Sequence, residues 1–406
     1  MSSSSAHTTP VQTSIPAQTE GNVHKKEELD VFYINMNVLR TYEQPEKCLL
    51  ELLPRAETFR KVVLCECSLS EESCAALASA LRNSSAVREL DLSKTELQDS
   101  GEELLSAALE NPHGKLEKLR LFECNLTWKS CEVLALVLSS TSTKLRELDL
   151  SKNKLQDLEV NMLSIGLQNP HCQLEILRLE YCDFTKEGWA ALFEALKSNP
   201  SHMKELNLSN IFLFSGMDSL SALLKDPYCK LEKLQLEYCN IKDEGCATLI
   251  EALKSNPSLQ LRELNLSWND PGQSGLKKLS DLLEDPHCKL EKLELESCGI
   301  KGGGCAALVE ALKSNPSSHL RELNLSNNNL GDSGAKALSD LLKDPHCKLE
   351  KLQLSHCKIS GEDCAALDSA LKSNPSSHLR ELDLSCNHRA DIILKQICDL
   401  VKDPQW

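Results

Sequence analysis

The sequence predicts an α/β fold in the form of a curved solenoid, with one parallel sheet on the concave face and helices on the convex face. A pattern L-x-x-L-x-L recurs at steps of 28, 29 or 30 residues, and each copy is followed by a segment of helical periodicity. The first positions of the copies are Phe59, Val87, Leu116, Leu145, Leu174, Met203, Leu231, Leu261, Leu290, Leu320, Leu349 and Leu379. Such a fixed period is typical of stacked repeats, in which each unit contacts only its neighbours.

Each repeat combines a strand, a turn and a helix. In the L-x-L segment apolar and polar residues alternate, as in a half-buried strand. In the second half apolar residues recur at helical spacing, for example Ala335, Leu338 and Leu342. A proline such as Pro345 then ends the helix, because the residue before proline avoids the α region. Helices are wider than the ~4.8 Å between strands, so a stack of these units must curve.

Two forms of the repeat alternate, and their charges predict how neighbouring strands pair. The second and third positions are Glu-Lys in one form, as in Glu232 and Lys233, and Arg-Glu in the other, as in Arg262 and Glu263. In an in-register parallel sheet this alternation sets Glu beside Arg and Lys beside Glu. Opposite charges across strands contribute roughly 0.2–1 kcal/mol per pair, whereas like charges repel. The alternation therefore favours one register.

The repeats divide the chain into three predicted regions. Residues 1–30 are a Ser/Thr-rich tail whose polar composition predicts disorder. Residues 31–58 are a capping segment with a short amphipathic helix over residues 46–53, and residues 59–406 are the array of repeats. A helical pattern over residues 390–402 is expected to cap the last repeat in part, because an open end exposes apolar surface.

Composition and charge argue against several classes of function. The formal net charge of -15 argues against nucleic-acid binding, which needs clustered Lys and Arg. No apolar run reaches the roughly 18 residues of a membrane span, and residues 1–20 lack the apolar core of a secretory signal. We therefore expect a cytoplasmic protein in which the 19 cysteines are reduced thiols.

Most cysteines recur at fixed positions of the repeat, which predicts a structural role. They occupy the ninth position (Cys67, Cys124, Cys182, Cys239, Cys298, Cys357), the position seven residues later (Cys74, Cys131, Cys246, Cys305, Cys364) or the turn before a strand (Cys172, Cys229, Cys288, Cys347). Equivalent members of the first two sets lie two repeats apart, or about 10 Å. That separation is too large for a disulfide or for shared zinc ligation. We therefore predict small buried thiols.

No catalytic, cofactor-binding or metal-binding motif is present in the sequence. The chain lacks G-x-S-x-G, H-E-x-x-H and the nucleotide-binding loop G-x-x-x-x-G-K-[ST]. A metal at Cys65 is disfavoured because no histidine lies near it in sequence. Histidines that precede the turn cysteines, such as His287, are expected in solvated loops. We expect no enzyme activity, no cofactor, no metal and no bound nucleotide.

The amino-acid sequences of the repeats resemble those of a known family. The segments LRELDLS, DPHCKLE and GCAALVEALKSNPS are similar to the ribonuclease-inhibitor-like class of leucine-rich repeats, and most resemble the repeat arrays of NOD-like receptors of the kind expanded in bony fishes. The lead-in from Leu52 to Leu64 is similar to the segment that joins the ATPase region of those receptors to their repeats. The resemblance implies a repeat array that binds other proteins but lacks the receptors' nucleotide-binding domain.

Aromatic side chains mark the candidate interaction surface. In a horseshoe the third, fifth, seventh and eighth positions of each repeat point out of the concave face. The candidates are Tyr181, Tyr238 and Trp268 at the eighth position, Phe122 at the seventh, and Ile211, Phe212 and Phe214 in the sixth repeat, whose loop is one residue shorter. We expect them to cluster on one rim and bind a partner, because Tyr and Trp dominate interface hot spots. The alternative is that they cover the edge of the core under the loops.

Two functions fit these observations. The first is a protein–protein interaction scaffold of the NOD-like-receptor type, which senses a ligand or regulates a partner in innate immune signalling. The second is a ribonuclease-inhibitor-like protein that masks a basic enzyme through its acidic concave face. The charge favours the second function, but ribonuclease inhibitor has a longer array with a Trp-rich inner face, and Trp268 is the one tryptophan expected there.

Overall fold

The computed structural model describes residues 31–34, 45–66, 69–97, 100–109, 111, 113–199 and 202–387. In this part of the chain 13 parallel strands form one open sheet whose order follows the sequence, and the connections carry 12 α-helices. This confirms the predicted α/β solenoid. The tail predicted over residues 1–30 and the helix predicted over residues 390–402 lie outside the described residues.

The strands are three residues long and alternate with the helices. The strands are β1 (Val31–Tyr33), β2 (Lys61–Val63), β3 (Glu89–Asp91), β4 (Lys118–Arg120), β5 (Glu147–Asp149), β6 (Ile176–Arg178), β7 (Glu205–Asn207), β8 (Lys233–Gln235), β9 (Glu263–Asn265), β10 (Lys292–Glu294), β11 (Glu322–Asn324), β12 (Lys351–Gln353) and β13 (Glu381–Asp383). The helices are α1 (Pro45–Leu52), α2 (Glu71–Asn83), α3 (Ser100–Leu109), α4 (Trp128–Leu138), α5 (Asp157–Leu167), α6 (Lys186–Ser198), α7 (Met217–Lys225), α8 (Asp243–Ser255), α9 (Gly272–Leu283), α10 (Gly302–Ser314), α11 (Gly331–Leu342) and α12 (Gly361–Lys372).

Among the described residues the sheet includes one strand before the repeat pattern, β1. β1 pairs in parallel with β2, and the ring of Phe32 lies 5.4 Å from that of Phe59. Between the two strands come α1 and a 3₁₀ turn over Leu53–Thr58, where Leu53 and Ala56 are fully buried. Residues 31–58 therefore extend the sheet with an atypical strand–helix unit, which the sequence pattern did not reveal because β1 lacks the repeated leucines.

The cross-strand charges pair as predicted. Lys233 is the register partner of Glu263, and their charged atoms lie 3.4 Å apart. Arg262 forms an ion pair with Glu291 of the next repeat. The in-register arrangement predicted from the alternating repeat forms is confirmed.

Buried leucines and asparagines hold the repeats together. One continuous apolar core runs between sheet and helices, with leucines such as Leu234 and Leu236 completely buried. At the ninth position of one repeat form, Asn269 donates from Nδ2 to the carbonyls of Leu236 (2.7 Å) and Leu266 (2.9 Å). Its Oδ1 accepts the N–H of Cys239 (3.1 Å) in the preceding repeat. The same ladder forms at Asn153, Asn328 and Asn387.

The middle of the array departs from this plan. Trp189 replaces the helix cysteine and packs between Phe184 (5.0 Å, edge-on) and Phe193 (5.5 Å, stacked). In the next repeat Ile211 replaces the ladder asparagine, and a 3₁₀ turn over Phe214–Gly216 leads directly into α7. Because a Cβ at Gly216 would lie 2.6 Å from the indole of Trp189, glycine is needed at this contact.

Candidate interaction surface

The eighth position of each repeat follows the strand and has a left-handed backbone. Tyr181 (φ 56°), Asn210 (φ 62°), Tyr238 (φ 54°) and Trp268 (φ 60°) occupy it in four consecutive repeats. Asparagine tolerates this conformation, whereas a bulky residue there costs roughly 1–3 kcal/mol. Local backbone preference therefore does not explain two tyrosines and a tryptophan at these positions.

Main-chain hydrogen bonds fix the aromatic positions. The N–H of Tyr181 donates to Ser209 (3.3 Å), that of Tyr238 to Ser267 (3.0 Å) and that of Trp268 to Glu296 (2.7 Å), each to a carbonyl in the next repeat. Adjacent repeats lie about 4.8 Å apart at the sheet. Tyr181, Tyr238 and Trp268, here called the aromatic row, thus stand on a rigid scaffold.

The structure places the predicted aromatic candidates in different environments. Exposed fractions are 47% for Tyr181, 57% for Tyr238, 49% for Trp268 and 67% for Phe212, whereas Ile211 is buried. Ile211 packs in the core at the ladder position, so its side chain faces no partner. Phe214 begins the 3₁₀ turn, and its side chain lies outside the described part of the structure.

Phe122 is half-buried, and Lys152 contacts both its ring and that of Tyr181. The Nζ of Lys152 lies 5.1 Å from the ring centroid of Phe122 and 5.1 Å from that of Tyr181. An ammonium within about 6 Å of an aromatic face is attracted by its quadrupole. Lys152 therefore bridges the two rings and extends the aromatic row into the preceding repeats.

Carboxylates at the seventh position run beside the aromatic row. Glu180, Glu237 and Glu296 alternate there with serines. Burial, together with the charges of Asp149 and Glu237, raises the pKa of Glu180 above its ordinary value. The Nδ2 of Asn207 donates to Glu180 (2.6 Å), which stabilises the ionised form and opposes this rise. The row therefore combines exposed rings with closely spaced acidic groups.

A second ionic cluster lies on the strands themselves. The buried carboxylate of Glu147 accepts from Arg120 (3.0 Å) and Arg178 (2.8 Å), and Lys118 lies 3.6 Å away. Burial alone would raise the pKa of Glu147, but the hydrogen bonds and charges of Arg178 and Arg120 hold it below its ordinary value. These groups satisfy one another, so the cluster stabilises the sheet and offers no unpaired charge.

Most of the recurring cysteines are buried, as predicted; Cys288 and Cys347 are half-buried, and Cys67 lies outside the described residues. The Sγ of Cys239 donates to the carbonyl of Leu208 (3.1 Å) in the preceding repeat, and Cys124 does the same to Leu92 (3.0 Å). Burial raises the pKa of both thiols to about 12, so neither is a thiolate at neutral pH. Within the described residues no group of three His, Cys, Asp or Glu side chains is arranged to hold a metal ion.

Known proteins share these repeats. The Leucine Rich repeat family profile matches residues 141–158, 229–249, 259–280, 287–309, 317–339, 346–367 and 376–388. Ribonuclease inhibitor of Mus musculus is 39% identical over 87% of this chain and 76% of its own length, and that of Sus scrofa is 38% identical over the same shares. The chain belongs to the ribonuclease inhibitor family of leucine-rich-repeat proteins.

The chain is also similar in sequence to larger receptors. NACHT, LRR and PYD domains-containing protein 3 of Rattus norvegicus is 38% identical over 77% of this chain, but the match spans 30% of the receptor. The similarity to these receptors is thus confined to their repeat region, as the sequence indicated. In the described part of the chain no helix is long and apolar enough to cross a bilayer.

Two features of the surface were missed by reasoning from the sequence. Lys152 shares the eighth position with Tyr181, and a comparison of that position along the array would have suggested their contact. The acidic seventh position was likewise visible at Glu180 and Glu237. Both were overlooked because charged residues elsewhere in the repeats are solvated or paired across strands.

Proposed function

We propose that this chain is a protein-binding scaffold that captures its partner on the sheet face of the middle repeats. The observation that carries the proposal is the aromatic row: Tyr181, Tyr238 and Trp268 are exposed, rigidly held and placed in a backbone conformation that disfavours them. Exposed aromatic side chains surrounded by polar groups are typical of interface hot spots. The ring of Phe212, two residues after Asn210 in the sixth repeat, is also exposed.

The finer proposal concerns the biological setting. We infer a cytoplasmic module of the NOD-like-receptor type, which senses a ligand or regulates a partner in innate immune signalling without catalysis. Its support is the similarity to the repeat region of the NACHT, LRR and PYD proteins and the lack of a nucleotide-binding loop in this sequence. The partner is another protein, and neither nucleic acid nor nucleotide is expected.

A second candidate is that the chain masks a basic enzyme; the relatives from Mus musculus and Sus scrofa are named ribonuclease inhibitor. The net charge of -15 and the carboxylates of Glu180, Glu237 and Glu296 beside the aromatic row favour it. An acidic surface attracts a basic protein and speeds its association at low salt.

The aromatic row is tested with the double substitution Y238N/W268N. Asparagine already occupies the same position with the same backbone at Asn210 and Asn327, so the variant is expected to fold. Truncating an aromatic hot spot costs about 2 kcal/mol or more, and the pair should weaken partner binding at least about tenfold. Affinity capture from cytosol, followed by titration of the captured protein, measures this effect.

The thermal melting temperature separates binding from packing. It should stay within a few degrees of wild type in Y238N/W268N, because the rings are half-exposed. A large loss of stability would show that the rings belong to the core, and unchanged capture would place the partner elsewhere.

Titration with a basic ribonuclease separates the two candidate functions. Stoichiometric inhibition at low salt that weakens at high salt would establish the masking function. Full ribonuclease activity at every ratio, together with capture of another protein, would support the receptor-type scaffold.

A further inference from the structure

An exposed apolar patch lies on the helix side of the array, opposite the aromatic row. Leu136 on α4 and Leu158 and Ile165 on α5 expose 63%, 50% and 55% of their surface. Val133 and Met162 are half-buried on the same two helices and pack against the core. Leu158 and Ile165 are seven residues apart, so they lie on one face of α5 about 10 Å apart along its axis. These five residues are called the convex patch.

The fold does not require apolar residues at these positions. Leu136 and Ile165 occupy the 21st position of two adjacent repeats, where five of the later repeats carry an acidic residue. The acidic residues are Glu194, Glu251, Asp281, Glu310 and Asp340. The apolar exception is confined to neighbouring repeats, and contiguous exposed apolar surface on an otherwise charged protein marks an interaction site.

A close helix contact makes the patch continuous. A Cβ on Gly166 would lie 2.7 Å from the Cα and from the carbonyl oxygen of Ala135, so the backbones of α4 and α5 touch there without an intervening side chain. Leu136 follows Ala135 and Ile165 precedes Gly166 in sequence. The two exposed side chains therefore flank this contact and lie side by side across two helices.

Carboxylates border the convex patch. Glu132 lies one turn before Leu136 on α4, and Glu187 and Glu194 occupy on α6 the positions of Leu158 and Ile165 on α5; all three carboxylates are exposed. An occupant with cations beside its apolar surface complements this border.

The neighbouring lysines do not reverse the charge of the border. Lys129 lies 3.6 Å from Glu102, which is outside the border. Lys197 lies 3.9 Å from Glu194 and offsets part of its charge, but Glu194 stays largely exposed. Lys186 is exposed at the start of α6, directly beside Glu187.

We propose that the convex patch binds an amphipathic helix of a partner protein, with an apolar stripe two turns long flanked by Lys or Arg. The i, i+3, i+4 and i+7 side chains of such a helix cover the span from Leu158 to Ile165, and Leu136 widens the contact on one side. The flanking cations face Glu132, Glu187 and Glu194. This site is separate from the aromatic row and does not depend on its function.

The test uses a fluorescent synthetic helix of about 18 residues, with Leu at the i, i+3, i+4 and i+7 positions and Lys on both flanks. Fluorescence anisotropy should show binding to the full chain. The double substitution L136E/I165E should weaken it at least about tenfold. The variant introduces the residue that Glu194 and Glu251 already provide at this position, so it is expected to fold with an unchanged melting temperature.

Matched controls define the outcomes. Y238N/W268N should bind the peptide like wild type; loss of binding in that variant alone would place the peptide on the sheet face and overturn the proposal. A peptide with Glu in place of Lys should bind several-fold more weakly, and equal binding would refute the acidic border. Failure of wild type to bind, or equal binding by L136E/I165E, would also overturn it. A wild-type dimer in sedimentation experiments that is dissociated by the L136E/I165E substitution would also overturn the proposal, because a second copy of the chain would then occupy the patch.

Discussion

The regular repeats after Leu231 and the irregular repeats around Trp189 reach the same strand–helix geometry by different packing. In the regular region a small thiol, Cys246, fills the start of the helix, and the polar side chain of Asn269 joins consecutive turns. In the irregular region a large indole and the apolar Ile211 take these two places. The strand–helix unit is thus kept although an indole takes the place of the thiol and an apolar side chain that of the ladder asparagine.

The loss of the ladder does not change which positions of the loop face solvent. The ladder at Asn269 holds its loop close to the core in the regular region. Without that ladder, the loop of the sixth repeat keeps the same alternation: Ile211 and Leu213 are buried and Phe212 is exposed. Asp270 and Asn329 are exposed at the same position of repeats that have the ladder, so the ring of Phe212 lies at a position that faces solvent in those repeats as well.

The largest effect is expected from W189A in the irregular region. Removing a fully buried indole leaves a cavity between Phe184 and Phe193 and should destabilise the protein by about 3–5 kcal/mol. The matched change C246A removes a single sulfur and should cost about 1 kcal/mol. Urea unfolding measures both, and equal costs would show that the indole does not support its region more than a thiol does.

A smaller effect is expected from N269A in the regular region. The substitution leaves the N–H groups of Cys239 and Ile241 and the carbonyl of Leu236 without their side-chain partner, which should cost about 2–3 kcal/mol. Hydrogen exchange should accelerate at these two amides. The substitution N161A, at an exposed helix residue, serves as control, and its free energy of unfolding should stay within about 0.5 kcal/mol of the wild-type value. Unchanged protection in N269A would contradict a stabilising ladder.

The smallest effect on stability is expected from the ion pairs on the strands, which are buried at Glu147 and more exposed at Glu263. Since the folded-state pKa of Glu147 is lowered, its ionisation stabilises the protein above the ordinary carboxyl pKa of 4.5, and this contribution is lost as pH falls through the lower folded value. E147Q should lower the free energy of unfolding by about 1–2 kcal/mol near pH 7. It should also flatten the pH dependence of that free energy below about pH 4.5. E263Q, which removes the more exposed partner of Lys233, should change stability by less than about 0.5 kcal/mol. Urea midpoints between about pH 3 and pH 7 test this, and parallel curves for E147Q and wild type would refute it.

Much of the candidate surface was predictable from the sequence, but the fate of individual side chains was not. Tyr181, Tyr238 and Trp268 share one position of the repeat, and the structure exposes all three. Ile211 and Phe212 are adjacent in sequence and equally apolar, yet one is buried and the other exposed. The position in the repeat decides this outcome, since Asn269 is likewise buried and Asp270 exposed, but the run of apolar residues in this loop had suggested that all of them face a partner.

The strand–helix unit, its order in the sheet and the pairing of Lys233 with Glu263 follow from the amino-acid sequence, because they depend on periodicities within one or two repeats. Three features became visible only in the folded molecule: β1 joins the sheet, Lys152 bridges two rings, and Leu136 and Ile165 form one apolar surface. Each of these depends on how close neighbouring repeats approach, and that distance is set by side-chain volumes from several repeats acting together.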